Sequence, residues 1–193
     1  MTTRDAVLAA ALAVFTEYTY GGTRIAQVAA AAEVAVGTIY RHFPSKEALG
    51  NAVYRQWKTQ MLVDLRAAAG RAGVAGADSR AMVLALWRST LDFAVRHPDA
   101  FRFLEYQQHG SYLDADARKV TDEIDAMCLA AITRGQAAGD IRAGDPGMLI
   151  AMLLGALVGL TRAYPGAPVP EAALAVAEQA VWAMLTSEAI DRS

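Results

Sequence analysis

Residues 37–46 read GTIYRHFPSK, and the reading of that stretch decides the fold. A short helical run stops at Phe43-Pro44, because the residue before a proline is pushed out of the α region. Ser45 then offers a hydroxyl to cap a following helix. Within these ten residues Thr38, Tyr40, Arg41, His42 and Lys46 crowd together side chains that can donate to phosphate. Ile39 and Phe43, four apart, fall on one helical face and can anchor the run to a core.

Upstream, Val7, Ala11, Val14, Phe15 and Tyr18 keep helical spacing and predict a first helix from Thr3 to about Tyr18, ended by Gly21-Gly22. Ile25, Val28 and Ala29 predict a second over 24–31, and after a break at 32–34 a third runs over 35–42. Two short helices joined by so tight a turn suggest helix-turn-helix. A helix that reads the major groove must be short, exposed and held rigidly, with donors to phosphate at its flanks. Gly37 lets the backbone approach closely, Thr38 and Tyr40 can donate to phosphate or touch a thymine methyl, and Arg41 and His42 can reach phosphate or a base edge. Lys46 adds an ammonium to the N-terminus of the next helix, which makes a phosphate site.

Downstream, Leu49, Val53, Trp57, Met61 and Leu65 recur every four residues in a long fourth helix that runs out in the Gly70–Gly76 stretch. Further helices are expected over 79–96, 98–109, about 114–138, 146–163 and 170–187. Pro98, Pro146 and Pro170 each suit a first helical turn. No segment alternates with period two, and no fixed-length repeat occurs. The expectation is an all-α chain of about nine helices, with a helix-turn-helix domain over 1–48 and a second helical domain over 49–193.

The 193 residues carry a net charge of -2, unevenly spread. Residues 1–58 hold six Lys/Arg against four Asp/Glu, and the remainder twelve against sixteen, a mild hint of an anionic partner for the first part. Cys128 is the one cysteine, which excludes an internal disulfide or a thiolate metal site. The opening residues lack a basic segment followed by an apolar stretch, so no secretory signal is read and a cytoplasmic location is expected. The most apolar run, Met148–Leu160, is thirteen residues, short of a bilayer span, so no membrane partner is expected.

Thr23 to Ala29, Val34 and the run from Gly37 through Lys46 to Leu49 resemble, without a gap over about 45 residues, the N-terminal domain of the TetR family of bacterial transcriptional regulators. Arg96-His97-Pro98 between two helices, Gly135 to Arg142 closing a long helix, and two apolar final helices are similar to that family's ligand-binding and dimerisation domain. The resemblance implies double-stranded DNA, a small-molecule effector and a second copy of the chain as partners. Departures from the family pattern fall in the turn. Glu33 stands where the family usually has Gly, and Ala35 where a serine can cap the third helix. A left-handed Glu33 would cost on the order of 1 kcal/mol relative to Gly, and the absent cap about 1 kcal/mol. Arg24 and Val36 replace residues common at contact positions, Arg24 taking a phosphate and Val36 a thymine methyl, so Arg24, Ala35 and Val36 join the candidate DNA contacts.

Nothing points to catalysis. His42, His97 and His109 are dispersed, and no HExxH, GxSxG or glycine-rich phosphate loop is present. The acids Asp114, Asp116, Asp122, Glu123 and Asp125 alternate with Arg118 and Lys119 as a solvated face does. No cofactor or metal is read. The last two helices are apolar all round and must be covered all round. Ala151, Gly155 and Gly159 form a row at four-residue spacing that permits close helix approach, so a two-fold dimer is expected there, with Leu174, Val181, Trp182 and Leu185 completing it. Candidate effector contacts are Trp57, Met61, Trp87, Phe93, Phe103, Tyr106, Gln107, His109, Tyr112, Met127 and Met152. Aromatic and methionine side chains suit an adaptable apolar pocket for a neutral or lipophilic molecule. A repressor is the first reading. An activator would use the same residues, and a helical binding module that has lost DNA recognition would fit Glu33 and Ala35.

Overall fold

The computed structural model describes residues 2–186, and every regular element among them is helical. The helices are α1 Thr3–Gly22, α2 Ile25–Ala31, α3 Val36–His42, α4 Lys46–Val74, α5 Ser79–Arg96, α6 Pro98–Tyr106, α7 Ala115–Ala138, α8 Pro146–Ala163 and α9 Glu171–Leu185. Local chemistry sets many of the starts. Thr2 Oγ1 accepts the Asp5 N–H at 3.2 Å while the Asp5 carboxylate accepts the Thr2 N–H at 3.0 Å, a reciprocal cap that opens α1. Ser45 Oγ accepts the Ala48 N–H at 3.1 Å at the head of α4. Asp145 Oδ1 takes the Gly147 N–H at 2.9 Å, with Pro146 in the first turn of α8.

Three boundaries differ from the sequence expectation by two residues or more. The first helix continues to Gly22 across a break at Thr19, where φ is 62° and ψ 159°. The sixth stops at Tyr106 rather than 109, because the chain folds back and the His109 ring takes two partners, Phe103 O at 2.7 Å and Tyr112 Oη at 2.6 Å. The last ends at Leu185, and Ser187, the expected final residue, lies outside the described residues.

The chain packs as two compact units. The first takes in residues up to Met61 together with His97–Thr121, so it extends beyond the 1–48 span to include the start of α4, α6 and the start of α7. Its core is built on Val7, Phe15, Val28, Ile39, Leu49, Phe101 and Phe103, all fully buried. The Tyr20 and Tyr112 rings stack 3.7 Å apart. They lie against Gly50, where a β-carbon would stand 2.7 Å from one ring and 2.9 Å from the other. Asn51 is buried and satisfied: its amide donates to Glu47 O at 2.9 Å and Tyr112 O at 2.8 Å, and its oxygen accepts the Asp114 N–H at 2.8 Å. Lys58 of α4 and Glu105 of α6 form an ion pair at 2.8 Å with both side chains at most 10% exposed.

The second unit comprises Leu62–Arg96 and the chain from Asp122 onward, with Trp87, Phe93, Ile132, Leu149, Leu157 and Leu185 in its core. Arg88 of α5 holds both oxygens of Glu178 of α9, and Arg96 pairs with Asp64 at 2.7 Å. Along α8, Leu149, Leu153 and Leu157 are buried at four-residue spacing, while Met148, Met152 and Leu154 are 54%, 43% and 38% exposed. The apolar helix here is 18 residues, longer than the thirteen-residue run suggested, and by length and composition alone it could cross a membrane. It packs instead by one stripe against α5 and α9.

Candidate nucleic-acid interface

The turn between α2 and α3 closes as a Schellman motif. Val34 N–H donates to Ala29 O at 3.0 Å and Glu33 N–H to Ala30 O at 3.2 Å, which requires a left-handed residue between them. Glu33 supplies it, at φ 54°. Ala35 has the extended conformation of an N-cap, φ -69° and ψ 146°, but no side chain with which to cap. The start of α3 therefore has no side-chain cap, and the Thr38 N–H is taken by Ala35 O at 2.9 Å.

Burial divides α3 cleanly. Ile39 is fully buried and Phe43 nearly so, and they fix the helix to α1 and α2. Val36, Gly37, Tyr40, Arg41 and His42 are exposed, Val36 by 40% and Tyr40 by 48%. Thr38 is half-buried. A β-carbon on Gly37 would meet nothing within 4 Å, so the glycine keeps open space over the helix surface. Arg24 is exposed at the rim of a shallow depression of about 550 Å³ that it lines with Gly22, Ala26, Gln27 and Ala30, and the side-chain Oε1 of Gln27 accepts its backbone N–H at 2.7 Å.

Lys46 is half-buried, its ammonium 4.6 Å from the centre of the Tyr20 ring and 3.4 Å from Gly21 O. The contact holds this cation in place beside the start of α4. Burial raises the Tyr20 hydroxyl to about 12, with the Glu47 carboxylate adding to the shift, so the ring beneath Lys46 remains a neutral phenol. Arg4, which the sequence reading passed over, places its guanidinium 5.4 Å from the Phe43 ring, beside the end of α3. Only its charge could have signalled it, since no motif includes it.

Residues 7–58 match the profile of the bacterial regulatory proteins of the tetR family, and residues 61–186 match that of the tetracyclin repressor-like C-terminal domain. The chain belongs to the tetR family. Among curated relatives, the HTH-type transcriptional regulator RutR of Escherichia coli K12 is 42% identical over 64 residues, which are 33% of this chain and 30% of RutR. The chain thus matches under a third of that relative's length. Two solved structures share the fold over nearly the whole chain. A regulatory protein of the tetR family from Rhodococcus RHA1 has a TM-score of 0.78 at 18% identity, covering 96% of this chain and 98% of its own. A TetR family transcription regulator from Marinobacter aquaeolei VT8 has 0.76 at 19%, covering 95% of each.

In this tetR-family chain the eleven candidate effector contacts divide between the units, seven in the first and four in the second. Phe103 stacks on Phe15 with centroids 5.8 Å apart, Trp57 lies 4.9 Å from the His97 ring, Tyr106 lies 6.0 Å from Phe101, and Met61 is buried. Gln107, His109 and Tyr112 direct their polar atoms at protein partners. In the second unit Trp87 and Phe93 are buried and Met127 is half-buried. Met152 faces outward from α8 and lines no interior, because the buried stripe of that helix runs through Leu149, Leu153 and Leu157. Of the dimer candidates, Ala151, Gly155 and Gly159 are exposed and Leu174 and Trp182 half-buried. Val181 and Leu185 instead point into their own unit, 1% and 0% exposed, because the inward stripe of α9 runs through Glu178, Val181 and Leu185.

Proposed function

We propose that this tetR-family protein is a dimeric transcriptional repressor that binds a palindromic DNA operator and is released from it by a small, apolar effector. The observation that carries the DNA-reading half is α3: seven residues long, pinned by Ile39 and Phe43, with Val36, Gly37, Tyr40, Arg41 and His42 on its open side. Arg41 and His42 suit phosphate or guanine edges and Val36 a thymine methyl, while Arg24 and Lys46 flank the helix as phosphate cations. The uncovered apolar strip of α8, with Ala151, Gly155 and Gly159 beside Met148 and Met152, supports a second copy as its cover. Two-fold pairing would set two recognition helices on half-sites about 34–36 Å apart.

An apolar effector is supported by the absence of Lys and Arg from the candidate lining, while the buried indole N–H of Trp87, which has no acceptor among the described residues, would take one acceptor atom on it. An effector acts as a switch only by binding the released state more tightly, with a coupling of about 1–3 kcal/mol. A second reading, a helical module with weakened DNA binding, draws on the left-handed Glu33 and the uncapped Ala35.

Fluorescence-anisotropy titration against promoter DNA adjoining the protein's own gene, at two salt concentrations and with non-specific competitor, separates the two. The regulator binds competitor-resistantly and more weakly in high salt, and Arg41→Ala lowers the slope of log K against log salt by about one. A module without DNA function gives no competitor-resistant binding, and Arg41→Ala then changes nothing.

A further inference from the structure

Gln107 has no room to serve as a pocket residue, because its carboxamide is inserted in the break of α1. In an unbroken helix Phe15 O would accept from the Thr19 N–H, and the Tyr20 N–H would donate to Thr16 O. At Thr19 that ladder is interrupted by φ 62° and ψ 159°, a conformation that a β-branched residue adopts only under constraint. The torsions of Thr19 turn the Tyr20 N–H away from Thr16 O, and Gln107 answers from 87 and 92 positions away: Oε1 accepts the Tyr20 N–H at 3.1 Å and Nε2 donates to Phe15 O at 2.7 Å. A primary carboxamide carries the donor and acceptor of a peptide group, so it replaces the missing acceptor of the Tyr20 N–H and at the same time binds Phe15 O of the preceding turn. Two further groups at the break are closed locally. Thr23 Oγ1 donates to Thr19 O at 2.8 Å, and Thr19 Oγ1 accepts the Gly22 N–H at 3.3 Å.

The break has consequences at both of its ends. Thr16 Oγ1 donates to Asp99 O at 3.2 Å, so α6 is tied to α1 at its first turn by Thr16 and just past its last by Gln107. On the other side, Thr23 is buried and Arg24 opens α2 one residue later. The direction in which the chain leaves Thr19 therefore sets where α2, and with it α3, begins. It also sets the Tyr20 ring that carries the Lys46 ammonium.

We propose that Gln107 is a positioning residue for DNA reading: its carboxamide holds the α1 break at Thr19 in place, and the break aims the helix-turn-helix. The proposal rests on the DNA-binding reading given above. Without the carboxamide, Thr19 relaxes toward helical φ and ψ, the Tyr20 N–H returns to Thr16 O, and the exit toward α2 turns with it. Glycine adopts φ 62° freely, so Thr19→Gly keeps the break without help from Gln107.

The test measures anisotropy on a duplex that the unmodified full-length protein selects from a random-sequence pool, with far-UV circular dichroism on every variant. Gln107→Ala is expected to weaken binding at least tenfold, Thr19→Gly alone to change it less than threefold, and Gln107→Ala with Thr19→Gly to return within threefold of the unmodified protein. Gln107→Glu keeps the side chain's size but loses the donor to Phe15 O, and it carries the same test if the alanine variant does not fold. It too should lose affinity and be rescued by Thr19→Gly. Unchanged affinity on losing the carboxamide overturns the proposal, and so does a loss that Thr19→Gly fails to rescue, which marks Gln107 as packing alone. If the unmodified protein selects no duplex, the DNA-binding reading itself fails and this proposal with it.

Discussion

Glu33 sits at φ 54° because the Schellman bonds of Val34 and Glu33 demand a left-handed residue, whatever its side chain. The strain on a residue with a β-carbon is about 1 kcal/mol or more, so Glu33→Gly should raise the thermal midpoint. For a chain of this size the rise is about 2–4 °C, and differential scanning fluorimetry reads it directly. His109 shows a second residue-scale constraint. A carbonyl only accepts, so Nε2 carries the proton toward Phe103 O, and Nδ1 accepts from the Tyr112 hydroxyl. Burial lowers the His109 pKa from its ordinary value of 6.5. Below that value the unfolded chain takes up a proton that the folded one resists, so stability falls as pH drops through about 6.5 and is indifferent to this group above it. The urea midpoint should therefore be lower at pH 5.5 than at pH 7.5, with the difference reduced in His109→Gln.

Between helices, the ion pair of Lys58 in α4 with Glu105 in α6 is the contact most exposed to a single change. At 2.8 Å and at most 10% exposure, neither charge has solvent to replace its partner. Glu105→Ala leaves the ammonium buried without its carboxylate and should destabilise the fold by about 3–5 kcal/mol. Chemical denaturation of the two proteins checks this, and a cost below about 1 kcal/mol would mean that water reaches Lys58. The α1 break and the Tyr20–Tyr112 stack against Gly50 belong to the same scale, since each couples α1 or α4 to the segment that follows α6.

At the scale of the whole molecule, Met148, Met152 and Leu154 form an apolar strip on α8 that the described residues leave exposed. Gly155 is exposed, and a β-carbon there would meet nothing within 4 Å, so Gly155→Glu is compatible with the fold of one chain. Against a second copy it buries a charge at a close helix approach. The unmodified protein should scatter light as a dimer at micromolar concentration and Gly155→Glu as a monomer with unchanged helicity. A monomeric unmodified protein would remove the two-fold operator from the proposed function.

What the sequence determined by itself is local: the nine helical spans among the described residues from period and caps, the helix-turn-helix from residues 24–46, and the apolar character of α8. These follow from interactions within a few residues, as the Thr2, Ser45 and Asp145 caps show. Tertiary structure decided which way each apolar residue turns and which polar residue is committed. Val181 and Leu185 turn inward where an interface was expected, and Met152 turns outward where a pocket was. Gln107 is committed to a helix 87 residues earlier in the chain. Periodicity cannot report these outcomes, because an all-round apolar helix has no preferred face until its neighbours are in place, and a carboxamide 88 residues from a strained threonine leaves no pattern in the intervening chain.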